Sequence, residues 1–431
     1  MKTAIAFLLL ILSLPKLHAQ VPGAAKSETA RTNAPPRREP AAVVSPEVHH
    51  DRTVTFRLRA PDAKDVKVAG EWPGGPISMK DDTNGIWSAT LGPLEPDIYG
   101  YNLTVDGLAM VDPANPWVKP MRAARTSVVE IPGEPPRLWE FQSVPHGTVH
   151  EHAYFSKSLG VKRRLHVYTP PGYEKRPKSL PVLYLFHGSG DNDATWTSTG
   201  HAHFIADNLF AQHKARPMII VMTDGHAFSG NPTQVSTNLI SRNVEAFGED
   251  LIKDVIPLIE STYRVKANRE NRAIIGLSMG GGQSLAIGLK HRELFAWVGG
   301  MSSYLPNAEK IITEVFPNSK SNLKLLWIAC GKDDRLIDNA RQLSAALKQK
   351  NIPHEFKETP GNHSWPVWRR YLGEFMPLLF SPTKGGQGRV HTIRNGSDSA
   401  GGFSINKNRG DALFEGLQVT NLLAHDSRIQ P

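Results

Sequence analysis

The sequence predicts an α/β domain preceded by a small all-β domain, and three observations carry that expectation. Apolar, β-rich runs at Leu180 to Phe186, Arg272 to Gly276 and Leu323 to Cys330, with the alternating run Ile352 to Glu358, read as strands of one sheet. One of them, Arg272 to Gly276, passes through Gly276-Leu277-Ser278-Met279-Gly280 into the helix-forming stretch Gly281 to Lys290. Upstream, from Ser45 to Pro132, short runs such as Val54 to Ala60 and Val66 to Gly70 alternate apolar and polar residues between Gly, Pro and Asp turns, the pattern of a small antiparallel, immunoglobulin-like sandwich.

Taken in chain order, the 431 residues divide into five segments. Residues 1–19 read as a secretory signal peptide: Lys2 supplies a positive charge, Ala4 to Leu14 an apolar core too short to span a bilayer, and Leu17-His-Ala19 a small residue for cleavage. No cysteine follows that core, and no later run has the length and apolarity of a membrane span, so no membrane anchor is expected. Residues 20–44 are rich in Pro, Ala, Arg and Ser and form a flexible leader. Residues 45–135 are the sandwich, 145–381 the α/β domain, and 382–431 a Gly-rich and Ser-rich tail to which no role attaches. The single cysteine, Cys330, ends a core strand and has no partner, so the exported chain must be stable without disulfides. Asn362-His363-Ser364 is a glycosylation sequon inside the candidate site, which suits a bacterial origin, periplasmic or extracellular.

A strand, a G-x-S-x-G turn and a helix in that order form the nucleophile elbow of the α/β-hydrolases, with the serine hydroxyl lifted above the sheet. A lone motif of this kind arises often by chance, so the remaining parts decide. Serine needs a base, an acid to orient the base and donors for an oxyanion, and this fold places them in the order Ser, Asp or Glu, His. Ser278 is the candidate nucleophile. Gly331-Lys332-Asp333-Asp334 closes a buried strand and offers two carboxylates, and the loop Thr359 to Trp365 carries His363 where a general base belongs. His354 falls in a strand, and His391 and His425 in the tail. Upstream, His187-Gly188-Ser189-Gly190 follows a strand and should contribute the Ser189 amide to an oxyanion hole shared with Met279.

Residues from about 150 to 380 resemble the esterase D superfamily and, within it, the feruloyl and acetyl-xylan esterases of carbohydrate esterase family 1. The resemblance is carried by Arg164 to Tyr173, His187 to Gly190, Gly276 to Gly281, Cys330 to Leu336 and Gly361 to Trp368. In such esterases the catalytic acid is the third residue after the glycine that ends the strand, which implies Asp334. The preceding segment, with Trp72, Trp87, Tyr99-Gly-Tyr101, Val105-Asp-Gly107 and Val111 to Pro116, resembles the family 48 carbohydrate-binding or early-set module. An exposed Trp72 or Trp117 would stack on a sugar face, whereas Trp87, Tyr99 and Tyr101 read as core.

Together these readings imply a secreted serine esterase that needs no cofactor and removes feruloyl or acetyl groups from plant cell-wall polysaccharide such as xylan. Substrate contacts are expected from His187, Gly188, Trp196 and Trp365, with a packed imidazole beneath the site as the competing reading of His187. The loops from Asp191 to His203 and from His226 to Thr237 should wall the pocket. An enterochelin-type esterase or an acyltransferase would use the same triad, and a non-catalytic glycan-binding protein would not need it. The net charge of +9 comes without a basic-aromatic nucleic-acid motif and reads as surface background. His201-Ala-His203 lacks the companions of a metal site and reads as a surface or substrate-loop pair. The expected partner is an ester-bearing polysaccharide or oligosaccharide, and nothing in the sequence specifies an oligomeric state.

Overall fold

A computed structural model describes residues 42–175, 177–228 and 237–381. The segments expected as signal peptide and tail, most of the expected leader, residue 176 and the centre of the loop after His226 lie outside the described residues. All the described residues belong to one compact unit.

Residues 47–131 form two antiparallel sheets. One pairs Val54–Arg59 with Ile86–Leu91, and the other sets Asp97–Val105 between Val66–Gly70 and Ser127–Ile131. Their inward residues, among them Val54, Phe56, Val68, Leu103 and Ile131, enclose an apolar core. Trp72 lies in that core, 3% exposed, with its ring 5.5 Å from Phe56 and 6.4 Å from Tyr99. It therefore presents no face to a sugar, contrary to one expectation. Trp117 is half-buried and stacks on His201, with ring centroids 6.0 Å apart.

The second sheet has eight strands: β1 (Thr148–Ser156), β2 (Val161–Thr169), β3 (Val182–Phe186), β4 (Ile219–Thr223), β5 (Arg272–Gly276), β6 (Trp297–Met301), β7 (Leu325–Gly331) and β8 (Glu355–Thr359). The spatial order is β1-β2-β4-β3-β5-β6-β7-β8, antiparallel through β1, β2 and β4 and parallel from β4 to β8. Strands β3 to β6 are buried throughout, as a parallel sheet covered on both faces requires. This is the α/β-hydrolase architecture. The stretch expected as a loop from Asp191 to His203 instead holds a short helix, Thr195–Ser198, and the start of a second, Ala202–Ala211.

The sandwich and the large sheet are tied by a buried arginine. Arg369, on the helix Trp365–Phe375, is fully buried and donates to Asp97 Oδ1 through Nε and Nη2 at 2.9 and 2.7 Å. It also donates to the carbonyls of Ile98 and Thr199. Four of the five N–H donors of the guanidinium are therefore met by protein acceptors, which offsets much of the cost of burying such a charge. Glu71 of the sandwich accepts from the amides of Gly100 and Trp365 at 2.7 and 2.9 Å.

Candidate active site

The register of the sheet assembles the site. Phe186 lies beside Gly276, so the His187–Gly190 loop and the turn at Ser278 leave the sheet side by side. Gly331 lies beside Thr359, so the loops carrying Asp334 and His363 do the same, held together by Lys332 N–H to Thr359 O at 2.8 Å and Asp333 N–H to Gly361 O at 3.1 Å. All these residues sit beyond the C-terminal ends of parallel strands, where open α/β sheets build their sites.

Ser278 occupies the turn between β5 and the helix Met279–Lys290 with φ 52° and ψ −114°, a backbone shape that a residue with a Cβ adopts only under strain. The strain is held in place by the Ser278 amide, which donates to Met301 O at 2.8 Å, and by the Leu277 amide, which donates to Phe186 O at 3.1 Å. The flanking glycines are required sterically. A Cβ at Gly276 would stand 2.4 Å from the backbone of Gly280, and one at Gly280 would stand 2.4 Å from His187 O.

The structure brings Ser278, His363 and Asp334 together. His363 Nε2 is 2.9 Å from Ser278 Oγ, and Nδ1 is 2.9 Å from both oxygens of Asp334. With Asp334 accepting at Nδ1–H, Nε2 carries the lone pair that faces the hydroxyl. Asp334 is 2% exposed whereas Asp333 lies on the surface, which resolves the two carboxylates that the sequence left open. Burial alone would push the Asp334 carboxyl up. Hydrogen bonds from His363, Ser302 and the Leu336 amide outweigh it and hold the group below the usual carboxylate value, so it stays charged opposite the imidazole. Trp368 packs edge-on against the His363 ring, with centroids 4.9 Å apart, and donates its indole N–H to Ser302 Oγ at 3.0 Å. Ser302 and Trp368 thus orient the acid and the base. Sequence reasoning gave neither residue a role, because only the fold brings the end of β6 against this helix.

The oxyanion side is equally close. A Cβ built on Gly188 would lie 3.6 Å from Ser278 Cβ, so the glycine lets the loop pass against the nucleophile. Among the described residues, the amides of Ser189 and Met279 donate to no acceptor. Three of the expected substrate contacts are corrected. His187, Trp196 and Trp365 are each 1% exposed. Gly225 N–H donates to His187 Nε2 at 2.9 Å and His187 Nδ1 donates to Gly188 O at 2.7 Å, so this ring braces the loop from beneath. Trp196 donates to Phe186 O at 3.0 Å and packs against Trp365, with rings 5.0 Å apart. Both indoles are core, and Gly188 alone of the four borders the nucleophile.

His201 is buried, with Nδ1 2.9 Å from Trp139 O, so it is not the surface residue expected. Among the described residues no group of His, Cys, Asp and Glu is placed to hold a metal ion, and no helix is long and apolar enough to cross a membrane.

Comparison with known proteins supplies the family. A bifunctional endo-1,4-beta-xylanase/feruloyl esterase from Xylanibacter ruminicola is 32% identical over 347 residues, covering 78% of this chain and 46% of the relative. The chain spans about half the length of the curated relatives it matches first. Among solved structures, a ferulic acid esterase from Anaeromyces mucronatus shares the fold at a TM-score of 0.50 and 24% identity, over 56% of this chain and 93% of that one. The enterobactin esterase of Shigella flexneri shares it at 0.57 and 18%, over 76% of this chain and 92% of that one. Residues 156–378, just over half of the chain, match the esterase family, and with that match on an α/β-hydrolase sheet the chain belongs to this family.

Proposed function

We propose that the chain is a secreted bacterial serine esterase that hydrolyses feruloyl or acetyl esters on plant cell-wall polysaccharide such as xylan. The observation that carries the chemistry is the continuous chain of contacts from Ser278 through His363 to Asp334. Ser278 attacks the ester carbonyl while His363 Nε2 takes its proton, and Asp334 holds the imidazole tautomer and stabilises the imidazolium. The amides of Ser189 and Met279 receive the developing oxyanion, a contribution of about 10²–10³ in rate for each such donor in comparable sites. His363 then returns the proton to the leaving sugar alcohol, and water repeats the sequence on the acyl-enzyme. The proton transfers use groups already within hydrogen-bonding reach, and no step calls for a cofactor.

The substrate class rests on the Xylanibacter relative, named for both xylanase and feruloyl esterase activity, and export rests on the signal-peptide pattern of residues 1–19. The longer structural match to enterobactin esterase favours a second reading in which the acyl group is the carboxyl of an N-(dihydroxybenzoyl)amino acid. The sandwich lacks an exposed Trp72, which supports a scaffolding role for it over a sugar platform. Purified mature chain assayed on methyl ferulate, acetylated xylan, enterobactin and short nitrophenyl esters separates the readings. Ser278→Ala should lower kcat by about 10⁴–10⁶ with the fold intact. Wild-type turnover in that variant would remove the assignment, and turnover on enterobactin alone would replace the polysaccharide substrate.

A further inference from the structure

The loop from Trp117 to Thr126 belongs to the sandwich in sequence, lying between the strands Leu108–Met110 and Ser127–Ile131, yet its tip lies on the esterase side. Its base is closed by Lys119 N–H to Thr126 O and Val128 N–H to Trp117 O, both 2.9 Å. At the tip, Met121 forms an antiparallel bridge with Asp191, and the Arg122 amide donates to Gly190 O at 2.9 Å. Thr195 Oγ1 donates to Pro120 O at 2.8 Å. Lys119 Nζ stands 2.8 Å from Asp191 Oδ1, with the two side chains 11% and 5% exposed. Both charges are thus largely withdrawn from water, where screening of the pair is weak. On the far side, Gly190 N–H donates to His226 Nε2 at 3.3 Å.

Apart from the one to Thr195, these contacts fall on Gly190 and Asp191, immediately after Ser189. The Gly188–Asp191 turn is internally closed only by Asp191 N–H to Gly188 O at 3.3 Å, a long bond for a loop that must hold a donor to a few tenths of an ångström.

We propose that the 117–126 loop is the positioning element of the oxyanion hole: Lys119 and the Arg122 amide, acting through Asp191 and Gly190, fix the Ser189 amide where the acyl oxygen gains charge. The sandwich is then a working part of the esterase. This inference rests on the reading of Ser189 and Met279 as oxyanion donors.

The test uses the full mature chain and nitrophenyl acetate. Active sites are counted by exhaustive labelling with a fluorophosphonate, so that kcat is expressed per labelled serine. Lys119→Met keeps the stem and removes the charge, and Lys119→Met with Asp191→Asn removes both charges of the pair. Both variants should lose about 10- to 100-fold in kcat per labelled site with KM within about threefold, less than the full loss of one oxyanion donor. Affinity for a trifluoromethyl ketone, whose adduct needs the same amides, should fall in parallel, and Lys119→Arg should restore most of the rate. If the single variant does not fold, the double variant decides. A merely structural role would lower the number of labelled sites and leave kcat per site within twofold, and that result overturns the proposal. A wild-type chain that takes no label overturns the serine reading itself, which is a separate failure.

Discussion

Of the four aspartate–histidine pairs among the described residues, Asp334–His363 and Asp207–His146 share the same contact to Nδ1, and only the first of these two is built for catalysis. At the first, Asp334 and His363 meet at 2.9 Å and the other ring nitrogen faces Ser278 Oγ, also at 2.9 Å. At the second, Asp207, 1% exposed, meets His146 Nδ1 at 2.9 Å while accepting from Gly147 N–H and Tyr168 OH. There the remaining nitrogen, Nε2, lies 3.0 Å from the carbonyl of Gln142. A carbonyl has no proton to give, so the second ring has nothing to activate. The pair ties the segment before β1 to the helix Ala202–Ala211. An acid and an imidazole are common furniture, and what lies across from Nε2 decides the chemistry.

The largest break in this comparison should come from neutralising each acid in turn. Asp334→Asn should lower kcat by about 10⁴, because the amide stabilises the wrong tautomer and cannot support the imidazolium. Asp207→Asn should leave kcat per labelled serine unchanged while lowering the urea midpoint. A loss of turnover per site in the Asp207 variant would mean that the second pair is not merely structural.

The surroundings of the second pair give the next effect. His201 and His203 sit beside it, and burial pushes both down to about 4 from the ordinary 6.5, His203 further helped by the charge of its neighbours. The unfolded chain therefore binds more protons than the folded one between about pH 6.5 and 4, so stability should fall on acidification through that window, by up to about 3 kcal/mol per histidine. Chemical denaturation at pH 7 and pH 4.5 measures the loss, and His203→Phe should reduce it. Asp334 works in the opposite range. Its folded value lies below the unfolded one, so its contribution is complete above about pH 4 and disappears only as pH falls further. The smallest effect belongs to His146→Gln, which should cost about 1 kcal/mol through lost hydrogen bonds and leave the esterase rate within twofold.

Much of the catalytic site was legible because its parts are local. The turn at Gly276 to Gly280 needs small residues to pass within van der Waals distance, and His363 and Asp334 each follow a strand whose pattern is visible on its own. The buried tryptophans were misread for the opposite reason. Trp196 and Trp365 lie in loops by sequence pattern, and nothing local announces that helices form there and close over them. Trp72 sits among turn residues, and only the facing sheet makes it core.

The sequence by itself determined the strand runs, the elbow and the order nucleophile, acid, base, because each depends on hydrophobic periodicity or on backbone crowding within a few residues. Tertiary structure alone decided that Asp334 and not Asp333 meets His363, that His146 meets Asp207, and that a sandwich loop reaches Gly190. Those outcomes depend on the register of β7 against β8 and on the packing of one sheet against another, contacts between residues dozens to hundreds of positions apart that leave no trace in local pattern.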